Sequence, residues 1–183
     1  MVISTLTIAL LATALLLAVG LAFMIYRRRS RLPKNRLAKC SLDLLTQVLL
    51  PNDDDSQIHL EYLLLCPRGI VVLNLKNVAG NVFGSDAMQE WAVITGKSRF
   101  GFRNPQDGLF DRVAAVKRLL PDNVPVHGYI AFGRQAQFTK GIPSHAVMFE
   151  ELVTELQQEL AQTDNTDLHR GAWERLKAAA MPE

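Results

Sequence analysis

The sequence contains only two cysteines among 183 residues, and it lacks several motifs that would indicate a particular class of protein. Cys40 and Cys66 lie 26 positions apart, outside any CxxC or Cys–His spacing, so no zinc site is expected. Both thiols are expected to be reduced, with Cys66 buried. The glycines form no phosphate-cradling loop, and no segment is repeated. These absences exclude zinc-binding modules, phosphate-loop enzymes and repeat proteins.

Acidic residues are absent from the first 39 positions, and residues 1–26 carry no charge of either sign. About 20 apolar residues suffice to cross a membrane. A signal peptide would need a positive segment before the apolar run, whereas here Arg27-Arg28-Arg29 follows it. The pattern therefore predicts a transmembrane helix over residues 1–26, in contact with the lipid bilayer.

Residues 27–39 contain seven basic residues and no acidic residue, and we interpret this segment as a juxtamembrane linker. The positive-inside rule predicts a single-pass membrane protein with its N-terminus outside and its C-terminal domain in the cytoplasm. This basic run either determines the membrane topology or, as the less favoured alternative, is an arm that binds nucleic acid. Its position after the membrane helix favours contact with anionic lipid headgroups. The residues expected to make that contact are Arg27, Arg28, Arg29 and Arg31.

The remaining residues, 40–183, suffice for one domain, with its core over about 56–162. They hold thirteen basic and 18 acidic residues, a net charge of −5, which disfavours a domain built on phosphate contacts. A local exception is KSRFGFRNP, where Lys97, Arg99 and Arg103 alternate with phenylalanines. Such a segment can bind single-stranded nucleic acid. The favoured interpretation, however, is a half-buried β-strand whose two phenylalanines point inward.

Hydrophobic periodicity predicts an α/β domain with one mixed sheet flanked by helices. The predicted helices are Arg36–Leu50, 106–120, 149–162 and 166–181. A buried stripe at Leu109, Val113, Val116 and Leu120 supports the second of them. The predicted strands are 59–66, 70–76, 80–84, 90–95, 98–102, 126–132 and 146–149.

Two neighbouring apolar runs, 59–66 and 69–76, carry polar side chains where burial is expected. Glu61 stands in the first run, and Asn74 and Lys76 stand in the second. Residues two apart share a face of a strand, so Val72, Asn74 and Lys76 are expected to point the same way. If the runs form a hairpin, Glu61 lies near that pair. A lysine so placed needs an opposite charge or an opening to water.

The order of these residues resembles the core of PD-(D/E)XK nucleases, and a longer string resembles the nuclease-related domain (NERD) family. The string is LEYLLLCPRGIVVLNLKNVAGNVFGS, then Glu90-Trp91, then Phe102–Pro105 before a helix. The resemblance covers about residues 56–132. It implies a restriction-endonuclease-like mixed sheet flanked by helices. It also implies a catalytic set at the positions of Glu61, Asn74 and Lys76, in which acidic side chains would hold Mg²⁺ or Mn²⁺ and the lysine would steady the attacking water or the phosphate.

The sequence departs from the family pattern in its chemistry. Glu61 stands where the family has Asp, Tyr62 where it has His, and Asn74 where it has the catalytic Glu. Only Asp43 is available as the family's acid in the first helix. Asn74 offers a neutral oxygen where a divalent metal prefers an anionic one.

These departures leave three interpretations of the site. The first is a catalytically degenerate domain that needs no cofactor and binds a protein partner or a nucleic acid. The second is a vestigial ion pair between Glu61 and Lys76. The third is a weak metal-dependent nuclease that uses Glu61, Asn74 and Lys76, with Asp86 or Glu90 as a candidate replacement carboxylate.

Overall fold

The structure is a computed structural model that describes residues 32–52, 56–164, 167 and 169–182, together with Leu11 and Leu17. The chain divides into two units after Arg36, and the second unit, residues 37–183, carries the candidate site. The predicted membrane helix over residues 1–26 lies outside the described residues, apart from those two positions. Among the residues that are described, no helix has the length and apolarity needed to span a bilayer.

Four helices and ten strands are present in the described residues. The helices are α1 (Pro33–Leu37), α2 (Pro105–Arg118), α3 (Phe149–Ala161) and α4 (Arg170–Ala179). The strands are β1 (Asp43–Pro51), β2 (Gln57–Cys66), β3 (Gly69–Lys76), β4 (Gly80–Phe83), β5 (Glu90–Thr95), β6 (Ser98–Arg103), β7 (Val126–Phe132), β8 (Ala136–Gln137), β9 (Ala146–Met148) and β10 (Met181–Pro182).

The strands form two mixed sheets. The larger has the order β10-β1-β2-β3-β7-β9, antiparallel from β10 to β3 and parallel from β3 to β9. The smaller has the order β6-β5-β4-β8. The α/β class and the mixed sheet are therefore confirmed, whereas the division of the strands between two sheets was not predicted.

The β2–β3 hairpin forms because both runs are apolar on two faces and are joined by a tight turn. Gly69 completes the turn after Pro67-Arg68 at φ 126°, a conformation that glycine adopts more readily than other residues. A Cβ atom there would lie 2.3 Å from the Pro125 carbonyl oxygen. The turn is further held by Arg68, whose guanidinium pairs with Glu155 and Glu159 of α3.

The larger sheet has a hydrophobic cluster on each face. On one face, Ile70 and Val72 pack in the same cluster as Leu109 of α2 and Trp91 of the smaller sheet. On the other face, Val71 and Leu73 pack with α3, and both cysteines lie in this cluster. Both cysteines are buried, so the predicted burial of Cys66 is confirmed.

The predicted helix over Arg36–Leu50 is wrong, because only Pro33–Leu37 is helical and Asp43–Pro51 is strand β1. β1 pairs with β2 from Asp43–Leu65 to Pro51–Gln57. An available partner strand outweighs helical spacing of the leucines, since propensity is a weak prior against tertiary pairing. Asp43 therefore lies on a strand rather than on a first helix.

Two smaller predictions also need correction. The last helix ends at Ala179, because Met181–Pro182 pairs with β1 as a short edge strand. In β6, Phe102 packs edge-on against Trp91 with ring centroids 6.1 Å apart, but Phe100 is 47% exposed rather than inward. Phe102 lies opposite Trp91 in the β5–β6 register, whereas Phe100 lies opposite Val93, closer to the turn of the hairpin.

Candidate functional site

The larger sheet forks at the end of β3. β2 and β3 are paired from Cys66–Gly69 to Tyr62–Leu73, whereas β3 continues beside β7 as far as Lys76. At the fork, the Leu75 N–H donates a hydrogen bond to Glu61 Oε2 at 2.8 Å. The Glu61 side chain thus supplies the acceptor that a neighbouring strand would otherwise provide.

Asn74 and Lys76 point from the fork towards α2, on the same face as Val72, as the strand period predicts. Both side chains line a cavity of about 280 Å³, which we call the fork cavity. The other wall is formed by the end of β6 and the first turns of α2. Its residues are Arg103, Asn104, Pro105, Asp107, Gly108, Asp111 and Arg112.

Lys76 is half-buried, and its ammonium has no ion pair or hydrogen bond to any residue that the structure describes. Glu61 and Lys76 interact only through space, since no nitrogen–oxygen contact within 4.0 Å joins them. The interpretation of these two residues as a vestigial buried ion pair is therefore not supported. The Lys76 ammonium instead faces the fork cavity.

Burial raises the pKa of Glu61 above its ordinary value of 4.5, against the opposing effects of the Leu75 N–H and of Lys76, His59 and Arg112. A raised folded pKa means that the stability contributed by this group is complete below pH 4.5 and is lost as the pH rises through the folded value. Above the folded pKa the carboxylate ionises at a cost in folding free energy, which the Leu75 hydrogen bond reduces but does not cancel.

Replacing Glu61 by glutamine should leave the domain at least as stable as wild type at pH 7, because the amide oxygen still accepts from Leu75. Glu61→Ala should lose about 1 kcal/mol, because the Leu75 N–H then has no acceptor. Chemical denaturation at pH 4 and pH 7 measures both effects. Glu90→Gln, on an exposed carboxylate, is the matched control. A loss for Glu61→Gln equal to that for Glu61→Ala would contradict this role.

Neither candidate replacement carboxylate lines the fork cavity. Asp86 accepts hydrogen bonds from Ser144 Oγ at 2.7 Å, Ser144 N at 2.9 Å and Gln106 Nε2 at 2.7 Å. The bonds from Ser144 and then from Gln106 lower the pKa of Asp86. Glu90 lies exposed on β5. Asp86 therefore links its own loop to Ser144 and to the start of α2. The geometry does not support either Asp86 or Glu90 as the replacement carboxylate.

Asp43, the remaining candidate acid, serves a structural role at the edge of the sheet. Its Oδ2 accepts from the buried Trp173 indole at 2.8 Å. Burial alone would raise the pKa of Asp43, but hydrogen bonds from Trp173, the Leu44 N–H and Lys177 outweigh it, and the net shift is downward. This carboxylate is committed to α4 and does not line the fork cavity.

Sequence reasoning missed two carboxylates that do line the cavity, Asp107 and Asp111. They stand four positions apart on α2, and this spacing after Asn104-Pro105 could have indicated them. Asp107 Oδ2 lies 3.5 Å from Arg103 Nη2. The Arg112 guanidinium donates two hydrogen bonds, from Nε to the His59 carbonyl oxygen at 2.8 Å and from Nη1 to the Gly108 carbonyl oxygen at 2.6 Å.

The Phe-x-Asn-Pro element of the family pattern is structural in this chain. Asn104 is buried, its Oδ1 accepts from Gln106 N at 3.0 Å, and its Nδ2 donates to the Met88 carbonyl at 2.9 Å. These bonds cap α2 and fix its start against the preceding loop. Of the three predicted nucleic-acid contacts only Arg103 lines the cavity, while Lys97 and Arg99 are exposed on the β5–β6 hairpin.

The donor set at the fork does not fit the divalent metal that the family resemblance implies. Glu61 is the single carboxylate among the three predicted residues, and one of its oxygens accepts from Leu75. Asn74 Oδ1 is buried without a hydrogen-bond partner and carries no charge. Within the described ranges, no three His, Cys, Asp or Glu side chains are grouped so that they could hold a metal ion. A hard divalent cation prefers several anionic oxygens.

The comparison with protein families agrees with the order of these motifs. The nuclease-related domain family matches residues 29–133, more than half of the chain and the whole of the segment from β1 to β7. No curated protein and no solved structure matches the chain. The protein therefore belongs to the nuclease-related domain (NERD) family.

Proposed function

We propose that this protein is a catalytically degenerate NERD domain that binds nucleic acid at the fork cavity without cutting it. One observation carries the proposal: Lys76 faces the cavity with no acidic partner among the described residues, while Glu61, the one carboxylate of the predicted set, is bonded to the backbone of Leu75. A half-buried ammonium without a counter-ion favours an anionic ligand. The phosphate of a nucleic-acid strand supplies that charge.

The rest of the cavity supports a phosphate more than a metal. Arg103 and Arg112 line it together with Lys76, so its cations outnumber its two carboxylates. Asp107 is close to Arg103 and partly offsets that charge. Because residues 40–183 carry a net charge of −5 and, among the described residues, only three cations line the cavity, we expect modest affinity that falls as the salt concentration rises.

Fluorescence anisotropy with labelled single- and double-stranded oligonucleotides, in EDTA at low salt, tests this proposal. Lys76→Ala should weaken binding about tenfold, because it removes one charged phosphate contact. Lys140→Ala, on an exposed lysine outside the cavity, is the matched control. If both variants bind with equal affinity, or if wild type does not bind, the nucleic-acid proposal is wrong. A protein partner then becomes the candidate ligand of the domain.

The second candidate function is a weak metal-dependent nuclease using Glu61, Asn74 and Lys76 with Mg²⁺ or Mn²⁺. The buried, unpartnered Asn74 Oδ1 beside Lys76 is the observation that favours it. The restriction-endonuclease-like arrangement that both functions assume is supported by the antiparallel β1–β3 strands, the parallel β7 and the packing of α2 on β7.

We also propose that residues 1–26 anchor the protein in the membrane, that residues 27–39 form a basic linker, and that the domain of residues 40–183 is cytoplasmic. The support is the uncharged run followed by seven basic residues. Contact of Arg27, Arg28, Arg29 and Arg31 with anionic headgroups belongs to the same proposal.

The anchor predicts that the full-length chain resists alkaline carbonate extraction from membranes. The C-terminal domain should be digested by protease in inverted vesicles and protected in intact spheroplasts. A soluble product that begins near residue 25 would instead identify a cleaved signal peptide.

A further inference from the structure

A second opening lies between α2 and the outer edge of β7, and we call it the β7 groove. It encloses about 440 Å³, within the range of ligand sites. Phe110 and Val113 of α2 form one wall, and Val126 and Gly128 of β7 form the other. These helical residues belong to a different face of α2 from Gly108 and Arg112 at the fork cavity.

The edge of β7 is open at the groove. β3 pairs with β7 from Val126 onward, but β9 pairs with it only from Ile130 onward. In the part of the chain that the structure describes, no strand lies beside the first half of β7 on its outer side. An uncovered edge of this kind is a template for another strand.

The backbone groups on that edge can be assigned from the strand period. The Ile130 N–H donates to the His145 carbonyl at 2.7 Å on the outer side, so the groups of Val126 and Gly128 point outward as well. The Gly128 carbonyl lies 3.1 Å from His145 Nδ1 and accepts from it. Both groups of Val126 and the Gly128 N–H have no outward partner among the described residues.

The charge of the β7 groove indicates which kind of ligand it favours. Its titratable lining residues are Lys117, His127, Tyr129 and His145, and none of its lining residues is a carboxylate. An occupant that carries a carboxylate is therefore favoured. A small carboxylate would meet Lys117 alone, whereas an extended peptide can also pair with the outward groups of Val126 and Gly128.

We propose that the β7 groove binds an extended acidic segment of a partner protein. The segment adds to β7 as a strand, places apolar side chains against Phe110 and Val113, and sets a carboxylate beside Lys117. This site is separate from the fork cavity and does not involve Lys76, so it goes beyond the proposed function.

Random peptides displayed on phage and selected on the full-length chain provide the probe. The enriched peptides should alternate apolar residues with at least one acid. A labelled synthetic copy should bind wild type, and Val126→Pro should weaken that binding about tenfold by removing one outward donor. The β3 pairing is spared, because Ile70 N bonds to the carbonyl of Pro125 rather than to Val126.

Lys117→Glu, a change at an exposed position, should weaken the same peptide about tenfold even if Val126→Pro fails to fold. Lys140→Glu and Lys76→Ala are controls that should leave the peptide affinity unchanged. Hydrogen exchange of the Val126 and Gly128 amides should slow when the peptide is bound.

The proposal is overturned if no acidic peptide is enriched, or if Lys117→Glu binds the peptide as tightly as wild type. Unchanged exchange at Val126 and Gly128 would equally overturn it. A concentration-dependent dimer that Lys117→Glu abolishes would assign the groove to a second copy of this chain instead of a partner protein.

Discussion

The wild-type chain is expected to leave DNA and RNA uncut in Mg²⁺ or Mn²⁺, whereas Asn74→Glu should bind Mn²⁺ roughly tenfold more tightly than wild type. Cleavage by such a site needs a metal to offset charge on the phosphate and to generate hydroxide at neutral pH. Asn74 supplies no charge, and one oxygen of Glu61 is bonded to the Leu75 N–H. Glutamate at position 74 fits because this side chain borders a cavity of about 280 Å³.

The comparison requires wild type, Asn74→Glu and Lys76→Ala, assayed for metal binding by calorimetry and for cleavage on single- and double-stranded substrates. Cleavage by wild type that Lys76→Ala abolishes would make the protein an enzyme and refute the degenerate site. If Asn74→Glu gains no metal affinity, more than one ligand has been lost.

Gly84→Ala should destabilise the domain by about 3 kcal/mol, because its new Cβ would overpack the core. The Cβ would lie 2.3 Å from Trp91 Cδ2 and 2.6 Å from Cγ. Trp91 is completely buried and stacks on Phe132 with ring centroids 6.2 Å apart, so the indole has no free space to move into. Equilibrium denaturation with tryptophan fluorescence measures the change.

Gly171→Ala is the matched control. A Cβ at Gly171, in the first turn of α4, would meet no atom within 4 Å, and its φ is not positive. That variant should be about 0.5 kcal/mol more stable than wild type, because alanine loses less backbone entropy in a helix. Similar stabilities for the two variants would show that the smaller sheet moves to accommodate a methyl group at position 84.

The parts of the fold that could be predicted are those in which the pattern allows one structure. β3 is apolar on both faces and begins at a glycine turn, so its strand and its hairpin were evident. β1 was not, since Leu44 and Val48 fit a helix as well as a strand until β2 is available as a partner. The assignment of β4, β5 and β6 to a separate sheet depends on pairing, which periodicity does not encode.

The same limit applies to the site. The side-chain alternation of a strand placed Asn74 and Lys76 on one face, and the structure confirms that placement. Asp107 and Asp111 come from α2, and their meeting with β3 depends on how that helix crosses the sheet. The Leu75–Glu61 bond could not be predicted, because it requires β2 and β3 to separate just beyond Tyr62 and Leu73.

The Leu75–Glu61 bond bears on what an acid at this position can indicate about activity. A side chain that accepts a backbone N–H, as Glu61 does, cannot be replaced by an apolar residue without cost to folding, so selection for stability alone retains an acid or an amide at this position. An acid at the position of Glu61 is therefore no sign of an active nuclease. Among the described residues Asn74 Oδ1 has no hydrogen-bond partner, so position 74 carries no such second duty, and its charge is the better guide to whether a site of this kind can hold a metal.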